Sequence, residues 1–300
     1  MEIVSLPLLF SLLSGVAFSL LGLSYKVANH RQCRTASYTI VFVFAAGLIA
    51  LLKALTEPAA WGDWRLWVLA SAMGATLYLG VLITMHCYAL GPASITWTVM
   101  NLSLLIPIFL APLLFHERLL WIDLLLGILF VLMLLAFLRG MADGTGAPAQ
   151  TTGLFLLALC GLFIDNGLFI LSYKVKYLLF HDANTAAVAT VTYFSAGVIA
   201  VLVELLRVRR IDIRPHEWRA GIYTGAASAC GLLCLLASMS LPTIVTYPIS
   251  QGTSLLGGVL ITALVFKERL NTFKTLGLTL GIAVLMTAVF RVPLAALLQR

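Results

Sequence analysis

Residues 96–118 read TWTVMNLSLLIPIFLAPLLFHER, and residues 246–269 read TYPISQGTSLLGGVLITALVFKER. Both stretches are apolar, have about the length that crosses a membrane as a helix, and end in Glu-Arg. In each stretch an aromatic residue precedes an amide by four positions, so that both side chains share one helix face. The matched pairs, 150 residues apart, are Trp97 with Tyr247 and Asn101 with Gln251. We expect these four residues to line a polar substrate cavity; the alternative is a polar contact that only joins helices.

The composition excludes an ordinary soluble domain. Of 300 residues, 61% are hydrophobic and only 10% are charged. The formal net charge of +7 comes from Lys and Arg that cluster between the apolar runs, which is typical of membrane topology and gives no reason to expect a nucleic-acid partner. We therefore predict a multi-pass membrane protein, with the lipid bilayer as its surroundings and the cytoplasmic (inner) membrane as its expected location.

The apolar runs predict an all-α polytopic membrane protein with ten transmembrane helices. Their boundaries are about 5–27, 36–55, 65–89, 93–114, 119–139, 152–177, 184–206, 216–240, 243–266 and 272–292. A segment rich in Gly, Ala and Pro follows the fifth run and is typical of a linker. We divide the chain into a five-helix repeat at 1–140, a linker at 141–151 and a second five-helix repeat at 152–300.

The two halves carry the same short motifs in the same order. The motif SYKV occurs at Ser24–Val27 and again at Ser172–Val175, and Ala46–Ala50 is echoed by Ala196–Ala200. Because five spans is an odd number, the second copy must enter the membrane from the opposite side, which makes the repeat inverted. Inverted repeats support alternating access to a central site. The alternative is a duplication that only enlarged the protein.

With its halves aligned, the chain resembles the drug/metabolite transporter superfamily, in its ten-helix EamA-like branch. The resemblance rests on the paired repeats and on residues at matching places, which are Lys26, Lys174, Glu117, Glu268, Pro107, Gly127, Gly277 and Gly281. It implies a transporter of small organic molecules, often an exporter of amino acids or other metabolites, with both termini in the cytoplasm. The positive-inside rule applied to the loops instead favours both termini outside, so the orientation stays open.

Asp165 lies near the middle of the sixth span, in the sequence GLFIDNGLF. A charged side chain there costs roughly 2.5–3.5 kcal/mol on insertion scales, so we expect it to face a cavity or an internal partner. It is a candidate proton carrier and a candidate anchor for a substrate ammonium. The alternative is a packing carboxylate that pairs with Asn166 or a nearby hydroxyl.

Five further polar residues complete the candidate site. Tyr78 and Ser254 are candidates for substrate binding, and Lys26, Lys174 and His86 are candidates for coupling or gating. Lysines at span ends commonly extend to the lipid headgroups instead, and a lone His is more often structural than a proton relay. Glu117 and Glu268 are expected to cap the helices that follow them.

The sequence contains no motif typical of catalysis, ATP hydrolysis or metal binding. Its five cysteines show no CxxC spacing, so we expect neither a metal nor another cofactor. We predict a secondary transporter, and not an enzyme, that exports a small-molecule substrate such as an amino acid or a related amine. Two halves in one chain allow a functional monomer. The alternatives are a phosphorylated-sugar or nucleotide-sugar exchanger and, from another class, an intramembrane enzyme or lipid-handling protein.

Overall fold

The computed structural model describes residues 6–56, 63–90, 93–115, 121–142, 153–266 and 271–290. Within these ranges the chain forms eleven α-helices and no strand. They are α1 (Leu6–His30), α2 (Thr35–Leu55), α3 (Trp64–Leu90), α4 (Ala93–Leu102), α5 (Leu105–Phe115), α6 (Trp121–Ala142), α7 (Gly153–Leu179), α8 (Thr185–Val208), α9 (Pro215–Ala237), α10 (Thr243–Phe266) and α11 (Thr272–Val289). The all-helical class is confirmed, and the predicted linker, apart from the end of α6, lies outside the described residues.

Six of the described helices, α1, α2, α3, α7, α8 and α9, are long and apolar enough to cross a membrane. Two more, α6 and α11, contain shorter apolar stretches. Large apolar side chains such as Leu13, Leu124 and Leu157 are exposed on the outside of the bundle. An apolar outer surface of this kind faces lipid rather than water. The chain is an α-helical membrane protein.

The fourth predicted span differs from the continuous helix expected over 93–114, because the structure divides it into α4 and α5. Pro107 has no N–H, so it cannot bond the carbonyl oxygen of Ser103 four residues earlier. That oxygen accepts from the N–H of Ile106 at 3.0 Å instead. Asn166 of α7 reinforces the break, since its Nδ2 donates to Met100 O at 3.0 Å and to Ser103 Oγ at 2.7 Å.

The helices of the two predicted halves interleave rather than form separate bundles. Helix α1 packs against α9 and α10, and α7 packs against α3, α4 and α5. Helix α2 lies against α8 and α9, α3 lies against α8, and α6 lies against α11. Every described helix of the first half thus packs against at least one helix of the second half.

Helices α1 and α10 approach closely because small residues face each other there. A Cβ on Gly15 would overlap the carbonyl oxygen of Ser250, and one on Gly257 would overlap Oγ of Ser19. The Ser19 hydroxyl donates to Gly15 O at 2.9 Å and lies 3.1 Å from Ser254 O. Small residues and interhelical hydroxyl bonds are the usual means of joining helices where lipid replaces water.

Helices α2 and α8 cross through a reciprocal pair of contacts. The ring of Phe194 lies 3.0 Å from the position that a Cβ on Gly47 would take, and Phe44 stands in the same relation to Gly197. The two phenyl centroids are 5.9 Å apart. Each helix therefore offers a glycine to the ring of the other.

A salt bridge ties the α1–α2 connection to the start of α9. The Nε and Nη2 atoms of Arg34 each donate to Glu217 at 2.9 Å, and the backbone N–H groups of Arg34 and Arg214 donate at 3.0 Å and 2.8 Å. Asp212 adds a further contact to Arg34 Nη1 at 3.2 Å. Hydrogen bonding to the buried Glu217 raises the pKa of Arg34, so the guanidinium stays charged.

Candidate functional site

A cavity lies in the interior where the helices of both halves meet. Its walls enclose about 840 Å³ of space, the part open to solvent included. Its described lining residues come from α1, α2, α3, α4, α7, α8, α9 and α10. Helix α7 supplies the longest stretch of wall, with Leu162, Asp165, Asn166, Phe169, Ile170 and Tyr173. These positions recur every three or four residues, so one face of α7 is turned towards the cavity.

Asp165 is the lining residue with a carboxylate. Its Oδ2 lies 2.5 Å from the position that a Cβ on Gly80 would take, so the absence of a side chain on Gly80 makes room for it. The amide of the neighbouring Asn166 is turned away to Met100 and Ser103. Among the described residues no cation and no hydrogen-bond donor pairs with the Asp165 carboxylate. The structure thus places this acid in the cavity without the partner expected of a packing residue.

Two of the four matched residues of the repeated stretch, Trp97 and Gln251, line the cavity. The indole ring of Trp97 contacts α1, where its nearest carbon is 2.6 Å from the position that a Cβ on Gly22 would take. Its Nε1 lies 3.7 Å from the corresponding position on Gly258 of α10. Trp97 therefore sits between helices of both halves, and a glycine on each side accommodates it.

The other two matched residues are buried beside the cavity and do not line it. Asn101 is 2% exposed, and its Nδ2 donates to Trp97 O at 2.7 Å. Tyr247 is fully buried, and its hydroxyl donates to Ile170 O at 2.9 Å. Ser254 is buried as well, and its backbone oxygen accepts from Ser19. Of these three side chains, that of Tyr247 joins two helices, α10 and α7.

Apart from Asp165, the candidate coupling residues lie away from the described cavity lining, and so does Tyr78. Tyr78 is buried, whereas His86 is exposed on α3. Lys26 is half-buried near the end of α1. Lys174 is buried, with its Nζ 5.4 Å from the ring centroid of Tyr177.

Aromatic residues that the sequence did not single out form much of the cavity wall. Tyr25 and Tyr173 both line it, and they occupy the same place in the two copies of SYKV. The repeated SYKV motif could have identified these tyrosines. In a membrane span, however, the charged lysine next to each tyrosine is the more conspicuous candidate. Tyr193 lies opposite, and its hydroxyl shares a hydrogen bond of 2.8 Å with Ser228 Oγ. The hydroxyl of Tyr173 is buried and has no hydrogen-bond partner within the described part of the chain.

The described residues contain no group of three or more His, Cys, Asp and Glu side chains that could hold a metal ion. Asp165 stands alone in the cavity in this respect. Glu117 and Glu268, which the family resemblance singles out, lie outside the described residues. The described lining residues offer one carboxylate, one amide in Gln251 that no described residue bonds, several hydroxyls and an aromatic wall.

One comparison with known proteins finds a similar structure. The chain is similar to a solved structure described only as "Crystal structure of protein", with 15% sequence identity and a TM-score of 0.70. The alignment covers 97% of this chain and 99% of that one. No family model matches the chain, and no curated protein matches it. At this level of identity the similarity concerns the fold alone.

Proposed function

We propose that this chain is a secondary transporter that moves a small metabolite, an amino acid or a related amine, across the cytoplasmic membrane by alternating access. The observation that carries the proposal is the cavity shared by both halves, which contains the unpaired carboxylate of Asp165. A carboxylate in the interior of a membrane-spanning helix costs free energy unless it binds a ligand, carries a proton or pairs with another residue. The described residues supply no internal partner, which leaves the ligand and the proton.

The proposed architecture is ten spans in two inverted five-helix repeats, and the packing supports it. If α1, α2 and α3 correspond to α7, α8 and α9, the contact of α1 with α9 should be matched by one of α7 with α3. Both contacts are present, as are α2 with α9 and α8 with α3. The reciprocal contacts of Gly47 with Phe194 and of Gly197 with Phe44 are what a two-fold relation would produce at its axis. Such repeats can rock about a central site.

We assign the chain to the ten-helix EamA-like branch of the drug/metabolite transporters as part of the same proposal. The support is the ordered set of repeated motifs in the two halves. Exchange of phosphorylated sugars, the alternative from the same superfamily, would need cations to pair with phosphate oxygens. The described cavity lining contains none, since Lys26 and Lys174 lie elsewhere. An intramembrane enzyme would need His86 near Asp165, and His86 is not part of the lining.

Flux in reconstituted liposomes tests the proposal. The purified chain would be assayed with labelled amino acids and amines, with and without a proton gradient, for the wild type, Asp165→Asn and Glu204→Gln. Glu204 is a matched control because it is an acid in α8 that does not line the cavity. We expect flux in the wild type and in Glu204→Gln, and its loss in Asp165→Asn. Absence of flux for every compound would contradict transport, and full flux in Asp165→Asn would contradict the role proposed for Asp165.

A further inference from the structure

The charges of the cavity are unbalanced in a way that bears on what it can hold. Asp165 provides a carboxylate, and the described lining residues include no Lys, Arg or His. The lining is otherwise made of apolar, aromatic, hydroxyl and amide side chains. A cation that enters the cavity therefore meets an opposite charge, whereas an anionic group meets none.

A zwitterion fits this arrangement poorly. The ammonium of an amino acid could bind Asp165, but its carboxylate would be carried into an apolar space that holds no cation among the described lining residues. A charge that is taken out of water without a partner loses its hydration and gains nothing in return. The carboxylate of the amino acid would also be repelled by the carboxylate of Asp165. The cavity therefore discriminates between an amine and its carboxylated analogue.

The aromatic wall favours a cation for a separate reason. Rings of Tyr25, Phe42, Trp97, Phe169, Tyr173 and Tyr193 line the cavity. The face of an aromatic ring carries partial negative charge and attracts ammonium groups, most strongly where water is excluded. The same rings provide apolar surface for the uncharged part of a ligand. Phe169 and Tyr173 lie one and two turns beyond Asp165 on the same face of α7, with their centroids 4.9 Å apart, so the acid and the rings form one continuous surface.

An unpartnered hydroxyl in the same surface is a further group with which a ligand can form a hydrogen bond. Tyr173 is 1% exposed and lines the cavity, and its hydroxyl oxygen has no hydrogen-bond partner within the described residues. Buried hydroxyls are almost always paired in native proteins. A ligand in the cavity can satisfy this one.

We infer that the substrate is a small organic monocation with an apolar body, and that the cavity rejects zwitterions and anions. This inference rests on the proposed function and narrows its substrate class to protonated or quaternary amines without a carboxylate. Asp165 binds the ammonium group, the rings surround it and its apolar body, and the Tyr173 hydroxyl oxygen accepts a hydrogen bond from a protonated amine.

Three compounds of nearly the same shape test the charge requirement directly. They are 2-phenylethylamine, which is a cation, phenylalanine, which is a zwitterion, and 2-phenylethanol, which is neutral. Binding to the purified full-length chain in detergent would be measured by calorimetry and by thermal stabilisation. We expect the amine to bind at least about tenfold more tightly than either of the others. Equal or tighter binding of phenylalanine would overturn the inference, and so would failure of all three to bind.

Variants of Asp165 then test whether its carboxylate is the charge that binds the amine. Asp165→Asn should weaken binding of the amine about tenfold or more while leaving 2-phenylethanol unaffected, because only the charge-assisted contact is lost. Asp165→Glu should restore most of the affinity, and Glu204→Gln should change nothing. Binding of the amine that survives Asp165→Asn would overturn the inference. If Asp165→Asn does not fold, the wild-type comparison and Asp165→Glu still decide.

The two proposals fail in different ways. Binding of the amine that depends on Asp165, without any flux in liposomes, would contradict transport and leave the monocation site standing. Flux of amino acids without binding of the amine would support transport and overturn the substrate class.

Discussion

Tyr173 and Tyr193 both line the cavity, but only one of their hydroxyls has a partner in the described structure. That of Tyr193 is bonded to Ser228 at 2.8 Å, whereas that of Tyr173 is buried without one. In the unliganded protein the first hydroxyl is stabilising, and the second costs the hydration that it has lost. The difference predicts opposite effects for the same chemical change.

We predict that Tyr173→Phe raises the free energy of unfolding of the unliganded protein by about 1 kcal/mol, and that Tyr193→Phe lowers it by about 1 kcal/mol. Each variant removes a single oxygen atom from a ring in the cavity wall, so each serves as the control for the other. Thermal unfolding of the purified protein in detergent measures both. A loss of stability of equal size in the two variants would show that the Tyr173 hydroxyl is paired after all.

The matched residues show what sequence could and could not predict at this scale. Trp97 and Asn101 were placed on one helix face by their spacing, yet Trp97 lines the cavity while the Asn101 amide folds back to bond the Trp97 carbonyl oxygen. The same spacing is compatible with both results, because the NH₂ group of an amide can bond a carbonyl oxygen of its own helix. Asp165 was easier to place, since a carboxylate in a span has few alternatives to a cavity.

At the scale of the helices, the sequence predicted positions well and interruptions less well. Apolar runs mark the ends of spans because polar loops interrupt them, and the bounds of α2, α3 and α10 agree with the predicted runs to within a residue or two. A weakening or bend of the fourth span near Pro107 was expected, but its division into two helices at Ser103 and Leu104 was not. Pro107 was visible, but proline in a membrane helix often causes only a bend. The amide of Asn166, from another helix, is what completes the break, and no local pattern reveals such a partner.

The N-terminal ends of α2 and α8 are held by different kinds of contact. Arg34 precedes α2 and binds the buried Glu217, while Asn184, which is 150 residues later, precedes α8 and caps it through Ala187. Asn184 reaches the neighbouring α2 only through a bond of 3.4 Å to Ala54 O. The start of α2 is therefore tied to another helix by an ion pair, whereas the start of α8 is tied to α2 by an amide hydrogen bond.

We predict that Arg34→Ala lowers the free energy of unfolding by about 3 kcal/mol, because it leaves the carboxylate of Glu217 buried without its cation. Arg31→Ala is the matched control, since Arg31 is an exposed arginine in the same connection, and we expect a change within about 0.5 kcal/mol. Chemical unfolding in detergent measures both. The double variant Arg34→Ala with Glu217→Gln should recover part of the loss, and a loss that stays unchanged would argue against the ion pair as its cause.

On the scale of the whole molecule, the proposed repeats agree in packing and differ in charge. The contact of Gly47 with Phe194 has a counterpart in the contact of Gly197 with Phe44. Asp165 has no acidic counterpart, because the matching position 148 residues earlier is Ala17. A two-fold scaffold with a single acid would let both halves move alike around a binding site that belongs mainly to one of them.

The inverted arrangement predicts where three points of the chain lie with respect to the membrane. Ten spans place both termini on one side, and five spans before the linker place residues 143–152 on the other. Fusions of alkaline phosphatase and of green fluorescent protein, made after residue 147 and after residue 300, should therefore report opposite sides. The same side for both fusions would contradict the inverted repeat, whichever way the molecule is oriented.

The break between α4 and α5 has a consequence for local stability. Leu104 bonds Asn101 O at a length of 3.3 Å, whereas the matching segment of α10 belongs to a continuous helix. Amide hydrogens are protected by the bonds that must open before they exchange with solvent. We predict that the amides of 104–106 exchange faster than those of 254–256, as measured by deuterium uptake and mass spectrometry in detergent. Faster exchange there would identify a joint at which α5 can tilt while α4 keeps Trp97 in place.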